Sequence, residues 1–312
     1  MDRRNLLTGG LCLLGGGCGA TARGRTGNVG ERRAPAIVPA NPTVRNRTFD
    51  MALAPFYKRT LHGTLRWLEG MLHRLGRDAT LALWHEAFRT PDDGLLASIL
   101  AKPWKPYEDR DEETKLLDER IESCFRAPVE GVSRTQAHDL ALMAATIRLP
   151  VEKLPSLYVR RRVTAYDALH LRFDAEARVA ETMKSRLGKE GELVAYDICR
   201  AVRVDGASTR AGKVTAADVL KEWADVAPTE ESLFSAGLNA ALIKQTPTEV
   251  VVHITECEWA RYFRERHPTV GYVLACSTDD ADIRATTDKL WLQRTSTLME
   301  GGRVCDFRVY EG

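Results

Sequence analysis

The sequence predicts an α+β fold, in which a helical N-terminal half packs on a C-terminal antiparallel sheet of about four strands with inserted helices. Between residues 51 and 236, apolar residues recur at the spacings of amphipathic helices. Between residues 237 and 312, β-branched and alternating segments are separated by glycine and proline turns, which is typical of antiparallel strands. We therefore expect a single domain over residues 51–312, helical before residue 237 and sheet-forming after it.

The helical half begins with the clearest amphipathic pattern in the chain. Apolar residues recur every three or four positions from Phe56 to Leu75, and Gly76 is placed to end this helix. Asp78 then opens a second helix that runs to Phe88. The same reasoning predicts seven later helices, over residues 95–100, 108–122, 135–147, 165–187, 192–202, 215–224 and 228–236.

The C-terminal part predicts two pairs of strands with a helix between them. Residues 240–245 and 249–255 form a hairpin around Pro247, and a helix follows to Arg266. Residues 289–297 and 304–310 form a second pair, joined by a tight turn at Gly301-Gly302. We expect these segments to form one antiparallel sheet of about four strands.

Composition excludes several classes of protein. The net charge of +2 lacks the basic footprint of a nucleic-acid-binding protein, so we expect no nucleic-acid partner. The one basic cluster, residues 160–162, is predicted to lie on a solvated helix or loop edge. No apolar stretch is long enough to span a bilayer, so we expect no integral membrane segment.

The N-terminus predicts a targeting segment. Arg3-Arg4 precedes a short glycine-rich apolar run, the pattern of a signal for the twin-arginine export machinery. Residues 1–22 would then be a signal with cleavage after Ala22, and residues 23–50 a disordered linker, which places the protein in the periplasm. Two alternatives remain open: lipid attachment at Cys18, and a cytoplasmic N-terminus that carries the arginine pair by chance.

Cysteine spacing argues against a structural metal site. No C-x-x-C, H-E-x-x-H, nucleotide-binding glycine loop or G-x-S-x-G sequence occurs, so we expect neither a metal nor a cofactor. His62, His73 and His85 lie on the first two helices, but no two of them are four residues apart. After cleavage at Ala22, five cysteines remain, and Cys124 and Cys199 are predicted to lie in the core.

The other three cysteines lie at the edges of predicted elements. Cys257 would lie in the first turn of a helix capped by Thr255 and Glu258, where the helix dipole lowers a thiol pKa. Cys276 is followed by a second cap-like sequence that includes Asp279. Cys305 lies on the last strand.

On that last strand, alternation divides four consecutive residues between two faces. Cys305 and Phe307 share one face, while Asp306 and Arg308 share the other, where they could pair with each other or jointly hold a charged ligand.

The C-terminal sequence R-T-S-T-L-M-E-G-G-R-V-C-D-F-R, residues 294–308, resembles the ending of the L-2-amino-thiazoline-4-carboxylic acid hydrolase family. The residues that carry the resemblance are Arg294, Thr295, Thr297, Gly301, Cys305, Asp306, Phe307 and Arg308. It extends over roughly residues 234–309 and includes the hairpin before Cys257. The resemblance implies a small-molecule substrate, a cyclic isothiourea whose ring is opened by water to give an N-carbamoyl-cysteine.

That reaction needs a nucleophile, a proton donor and a cation for the substrate carboxylate. We expect Cys257 or Cys305 to be the nucleophile, with Cys276 as a third candidate thiol, and Asp279 or Asp306 to be the acid/base. Arg308 would bind the carboxylate. Reserve candidates for acid/base chemistry or substrate binding are Glu300 and His253.

Each assignment has a structural alternative. The three cysteines could be packing residues, or two of them could form a disulfide. Asp306 and Arg308 could form a surface ion pair, and Asp279 could be an N-cap. At the level of the protein, the alternatives are a non-catalytic periplasmic protein that binds a small ligand, and a related hydrolase that acts on another cyclic amidine.

Overall fold

The computed structural model of the chain describes residues 44–87, 104–106, 159–225 and 233–312. The predicted signal, most of the predicted linker, Cys124 and the helices predicted over residues 95–100, 108–122 and 135–147 lie outside these ranges. The described residues form an α+β fold, as predicted, with helices and a four-stranded antiparallel sheet in the C-terminal region. No helix in the described ranges is both long and apolar enough to cross a membrane.

The strands and helices follow in chain order, after a 3-10 turn at Val44–Asn46. They are β1 Thr48–Ala52, α1 Leu53–Leu75, α2 Arg77–Ala87, β2 Trp104–Pro106, β3 Val159–Thr164, α3 Ala165–Leu187, α4 Lys189–Ser208, α5 Ala216–Ala224, α6 Leu233–Ala236, β4 Leu238–Thr246, β5 Glu249–Cys257, α7 Glu258–Arg266, a π-helical turn at Tyr272–Cys276, α8 Asp279–Thr286, β6 Leu290–Gln293 and β7 Cys305–Glu311.

The principal sheet has the strand order β4-β5-β7-β6, and every neighbouring pair is antiparallel. The hairpin of β4 and β5 turns at Pro247 and Thr248, as predicted. β5 alternates strictly, with Val250, Val252 and Ile254 buried in the core. The pairing of β5 with β7 places Ile254 opposite Cys305, so the inward-facing residues of both strands line the same core.

β6 is shorter than the predicted strand over residues 289–297. The last pair joins Gln293 to Arg308, and the chain then leaves the sheet. The backbone N–H groups of Thr295 and Ser296 donate to the carboxylate of Asp306 instead of continuing the ladder. The Asp306 carboxylate thus accepts the hydrogen bonds that a neighbouring strand would otherwise accept, and the chain turns into the loop before β7.

A second sheet, with the order β1-β3-β2, was not predicted. It includes residues 48–50, which the sequence assigned to the linker, and residues 160–162, which it assigned to a helix or loop edge. Alternation on β3 exposes Arg160 and Arg162 and buries Arg161, so the basic run is a strand with one inward arginine. Pairing between segments far apart in sequence leaves no local signal of this kind.

Helices α3 and α4 pack against each other, while α5 packs on β5 and β7 of the principal sheet. Helices α3 and α4 are separated only by Gly188, whose φ of 59° ends α3. The sequence predicted that Gly191 would also interrupt the helix, but this residue lies inside α4. A Cβ at Gly191 would lie 2.2 Å from the carbonyl oxygen of Met183, so the residue allows a close approach of the two helices.

Candidate active site

Three cysteines from separate elements meet between the sheet, α7 and the π-helical turn. Cys257 ends β5, Cys276 ends the π-helical turn and Cys305 begins β7. The thiols are near enough to interact electrostatically: beside the effect of burial, Cys305 raises the pKa of Cys257, and both of these raise the pKa of Cys276. Among the described residues, these three cysteines and Cys199 are all free thiols.

Cys257 was predicted to lie in the first turn of α7. In the structure it is the N-cap of that helix. Thr255 remains in β5, and the Cys257 thiol accepts a hydrogen bond from the N–H of Ala260 at 3.4 Å. The expected decrease in its pKa does not occur. Burial raises the pKa of Cys257 to about 12, and the N–H groups of Ala260 and Trp259 offset only part of this increase.

Cys305 has the more favourable surroundings for a thiolate. Burial raises its pKa, but two groups act in the opposite direction: the N–H of Leu298, which donates to its sulfur at 3.1 Å, and the cation of Arg294. Burial also raises the pKa of Cys276 well above its usual value, and Arg294 again opposes the increase. Arg294 is therefore the cation shared by two of the three thiols.

Arg294 and Asp279 form a buried ion pair beside these thiols. Their side chains are 2% and 1% exposed, and Nη1 of Arg294 lies 3.2 Å from Oδ2 of Asp279. Nη2 of Arg294 donates to the carbonyl oxygen of Cys276 at 2.9 Å, and the guanidinium lies 4.8 Å from the ring centroid of Phe307. Burial lowers the pKa of Arg294, but Asp279, Cys276, Cys305 and Tyr272 together outweigh this effect, so the pKa of Arg294 is raised.

Asp279 is the first residue of α8, and Thr278 is its N-cap. The alternative that Asp279 serves only as a cap therefore does not describe its environment, since its carboxylate binds Arg294. Arg294 was not predicted as a site residue. Its signal was available, because it is the first residue of the C-terminal sequence that carries the family resemblance.

A second acid on α8 is buried one turn further along. Asp282 is 1% exposed, and neither of its carboxylate oxygens has a hydrogen-bond partner among the residues that the structure describes. Burial raises its pKa to about 7; Arg203 and Arg210 oppose the increase and Asp279 adds to it. Nothing in the sequence distinguishes Asp282 from the other acids of D-D-A-D, residues 279–282.

The remaining predicted site residues lie on the other face of the sheet. Asp306 accepts hydrogen bonds from the N–H groups of Thr295 and Ser296 at 2.9 and 2.6 Å. His253 is its register partner on β5. Because successive strand residues point to opposite faces, the alternation that turns Cys305 inward turns Asp306 and His253 away from the thiols.

Arg308 and Glu300 are exposed, and their side chains bind groups other than the thiols. Arg308 is exposed, forms an ion pair with Glu249 and donates to Oε1 of Gln293 at 3.0 Å. It therefore has other partners than Asp306, contrary to the pairing that the sequence suggested. Glu300 is exposed in the turn before Gly301, where its carboxylate accepts from the hydroxyl of Thr297 at 2.8 Å.

The described ranges contain no group of three or more histidine, cysteine, aspartate or glutamate residues arranged to hold a metal ion. Of the N-terminal histidines considered as ligands, His73 and His85 are exposed on α1 and α2. The described side chains of the site are three thiols, a buried arginine and two buried acids.

A family model described as L-2-amino-thiazoline-4-carboxylic acid hydrolase matches residues 169–309. The match begins well before Phe234, where the sequence resemblance was first detected, and it includes α3 and α4 as well as the sheet. Searches of curated proteins and of solved structures gave no match. The matched range contains all three clustered thiols, Asp279, Asp282 and Arg294, and residues 169–309 of this chain belong to the L-2-amino-thiazoline-4-carboxylic acid hydrolase family.

Proposed function

We propose that this protein is a hydrolase that uses a cysteine thiol to open the ring of a cyclic isothiourea or amidine. The observation that carries the proposal is the buried ion pair of Arg294 and Asp279 beside free thiols, inside the range that the family model matches. A buried ion pair is a costly way to stabilise a fold, whereas a fixed cation next to a thiol has a direct chemical use.

Cys305 is the proposed nucleophile. Its thiolate adds to the ring carbon that bears the exocyclic nitrogen, and the ring carbon–sulfur bond then breaks, with a proton passing to the departing sulfur. This leaves an isothiourea bonded to Cys305. Water adds to the same carbon, the thiolate of Cys305 leaves, and the product is an N-carbamoyl-cysteine. The sum is one substrate and one water giving one product.

Arg294 and Asp279 have separate roles in this proposal. The Arg294 cation stabilises the thiolate of Cys305, which it already favours against the effect of burial. Asp279 holds the guanidinium in place through the 3.2 Å ion pair. Cys257 and Cys276 are the remaining candidate nucleophiles, and substitution separates them from Cys305.

Activity is tested by incubating the full chain with 2-amino-thiazoline-4-carboxylic acid and detecting the released thiol and the carbamoyl product by mass spectrometry. Cys305→Ser should abolish turnover, because a serine hydroxyl is far less nucleophilic than a thiolate at neutral pH. The matched control is Cys199→Ser, which changes a buried thiol that donates to the carbonyl oxygen of Leu274. Full activity of Cys305→Ser would exclude this nucleophile, and the same substitution at Cys257 and Cys276 would identify another.

One observation favours a second candidate, a non-catalytic protein that binds a small ligand. Burial raises the pKa of Cys257, Cys276 and Cys305, as expected for packing cysteines. Stoichiometric binding of the thiazoline without product formation, in wild-type protein whose thiols are reduced, would establish this second candidate.

Export is a further part of the proposal. Arg3-Arg4 supports recognition by the twin-arginine machinery and a periplasmic destination, either after cleavage at Ala22 or through lipid attachment at Cys18. Cell fractionation of wild-type protein and of a variant with both arginines changed to lysine tests this point. Equal distribution of the two proteins would contradict it.

A further inference from the structure

A buried arginine ties the first described segment of the chain to the start of β4. Arg47 follows the 3-10 turn at Val44–Asn46 and is 7% exposed. Its Nη1 donates to the carbonyl oxygen of Leu238 at 2.8 Å, and its Nη2 donates to Oδ1 of Asn239. One guanidinium thus holds two consecutive residues of β4 that lie 191 and 192 residues further along the chain.

The network continues from Asn239 to the end of β5. Nδ2 of Asn239 donates to Oε2 of Glu256 at 2.6 Å, and the same oxygen accepts from the backbone N–H of Val44 at 3.1 Å. The bonds therefore form a closed loop that starts and ends in residues 44–47, which we call the N-terminal clasp. Those made by Arg47 and Glu256 involve an ionised group and are stronger than neutral hydrogen bonds.

The clasp acts where the pairing of β4 with β5 is irregular. Leu238 pairs with Cys257 and Asn239 with Glu256, and the register shifts directly after Asn239. A register shift disrupts the ladder of a strand pair locally, so bonds from outside the pair matter more at this point. The Arg47 guanidinium supplies such bonds.

Cys257 lies at the point that the clasp holds. It follows Glu256 in β5, it is the register partner of Leu238, and it is the N-cap of α7. The N–H of Glu258, the first residue of α7, donates to the carbonyl oxygen of Gly237 at 2.9 Å. The clasp therefore fixes the start of β4, and the start of β4 holds the backbone on both sides of the Cys257 thiol.

Packing at the same point leaves little room for adjustment. A Cβ at Gly237 would lie 2.5 Å from the ring of Trp259 and 2.8 Å from the carbonyl oxygen of Leu233. Trp259 is buried in the first turn of α7, next to the N–H of Ala260 that donates to the Cys257 thiol. Because close-packed groups transmit small displacements, a shift at the start of β4 would also move this turn.

We propose that Arg47 is a positioning residue for the thiol site, because the clasp fixes the end of β5 and with it the position of Cys257. The clasp lies outside residues 169–309, the range that the family model matches. The geometry of the site in this chain thus depends on a segment that precedes the matched range. The inference rests on the proposed function, in which the position of a thiol has a chemical consequence.

The position of Cys257 is tested by alkylating the folded full chain with iodoacetamide and measuring a separate rate for each cysteine by peptide mass spectrometry. Arg47→Ala should raise the rate at Cys257 by about tenfold relative to that at the buried Cys199, because charge-assisted bonds to the strand end are lost. Burial raises the pKa of Cys257, so exposing its thiol should also increase the reactive thiolate fraction.

Arg47→Lys should give an intermediate rate at Cys257, because an ammonium keeps the charge but lacks the planar fork that reaches two acceptors. The matched control is Arg45→Ala, since Arg45 is an exposed arginine in the adjoining 3-10 turn. It should leave every alkylation rate unchanged.

A second variant keeps the test decisive if Arg47→Ala does not fold. Asn239→Ala removes the link to Glu256 and keeps the bond from Arg47 to Leu238. It should raise the rate at Cys257 by less than Arg47→Ala does. An unchanged rate at Cys257 in both variants, or in Asn239→Ala alone when the other does not fold, would overturn the inference.

A purely structural role of Arg47 gives a different pattern. If Arg47 only stabilises the fold, Arg47→Ala should lower the Tm and raise the rates at Cys257 and Cys199 equally, since both thiols are then reached through general unfolding. That outcome would overturn the inference. A rise confined to the thiols of the site, with Cys199 unchanged, would confirm it.

Failure of the inference and failure of the proposed function give different results. Alkylation needs no substrate, so a selective rise at Cys257 supports the clasp even if the wild-type chain hydrolyses no thiazoline. If the wild-type chain does hydrolyse it, Arg47→Ala should lower kcat by about tenfold with little change in KM, because misplaced reacting groups slow the chemical step. Hydrolysis by the wild-type chain with an unchanged kcat in Arg47→Ala would leave the proposed function standing and overturn the inference.

Discussion

Two buried carboxylates, Asp174 on α3 and Asp282 on α8, have pKa shifts in opposite directions. Burial raises the pKa of both, but Asp174 contacts Nε2 of His170 at 3.2 Å, Nε2 of His267 at 3.4 Å and Nε of Arg178 at 2.6 Å. These partners lower the pKa of Asp174 far below its usual value, whereas that of Asp282 rises to about 7.

Both acids are buried, so the opposite directions of their pKa shifts come from the charged partners around each carboxylate. Asp174 on α3 lies beside His267, the residue that follows α7. Nδ1 of His267 also lies 3.0 Å from Oε2 of Glu181. Every charge in that cluster has an opposite charge beside it. The carboxylate oxygens of Asp282 have no hydrogen-bond partner among the described residues, so burial dominates its pKa. Asp279 is intermediate, because it is buried and forms an ion pair with one cation, Arg294.

The largest expected effect comes from removing the cation that pairs with Asp279. Arg294→Met should lower the free energy of unfolding by about 3–5 kcal/mol, because it removes one partner of a buried ion pair. Chemical denaturation measures this change. The double variant Asp279→Leu/Arg294→Met, which removes both charges, should be more stable than the single variant. A double variant that is less stable still would show that the loss does not come from the carboxylate that remains buried.

Asp174→Asn should have the next largest effect. It removes the negative charge that lies beside two histidines and Arg178, and it should cost about 1.5–3 kcal/mol of folding free energy. Asp282→Asn, the same change at a site without partners, should not lower stability. Denaturation of the two variants side by side tests the comparison. An equal loss of folding free energy in both would show that the partners of Asp174 do not account for its contribution to stability.

Stability should also depend on pH through the cluster of Asp174. Its pKa is lowered by folding, so its contribution is present above the unfolded value of about 3.9 and is lost as the pH falls. Burial lowers the pKa of His267, but Asp174 and Glu181 raise it overall. Its contribution is therefore complete below about pH 6.5 and is lost as the pH rises through the folded value.

Thermal unfolding from pH 3 to pH 9 measures both losses. His267→Gln should flatten the decrease on the alkaline side and leave the acid side steep, since Asp174 keeps His170 and Arg178. A variant that retains the full alkaline decrease would place its origin in another group.

The smallest effect is expected on the outer face of the sheet. Arg308 forms an ion pair with Glu249, which also binds Lys244, at the surface. Exposed pairs of this kind contribute little, so Arg308→Ala should leave stability almost unchanged. Steady-state kinetics should show an unaltered KM for the thiazoline carboxylate. A large increase in KM would restore Arg308 as the carboxylate-binding residue.

Periodicity and capping were sufficient to predict much of the fold. The helix predicted over residues 165–187 has those limits, and Thr215 caps α5 with the reciprocal bonds of a capping box to Asp218. The hairpin turn was also correct, because each of these features is local in sequence. The sheet of β1, β2 and β3 was missed, because its pairings join segments that are at least 53 residues apart in the sequence.

The site was predicted in part for the same reason. Three cysteines and Asp279 were named from their positions at element ends, and the structure brings them together. Arg294 and Asp282 were missed, and the thiol pKa shifts had the opposite direction from the one expected for Cys257. A helix N-terminus can be recognised locally, but the burial that outweighs it depends on what packs around the residue.

The sequence by itself determined the α+β class, the strand alternation that separates Cys305 from Asp306 and the family resemblance of the C-terminal region. These depend on spacing, which a chain carries before it folds. Only the tertiary structure decided which acids have partners. The ion pair of Asp279 with Arg294 and the isolation of Asp282 arise where α8 packs against α4 and the chain beyond β6. Burial and contact are properties of neighbours in space, and the charge state of each acid follows from them.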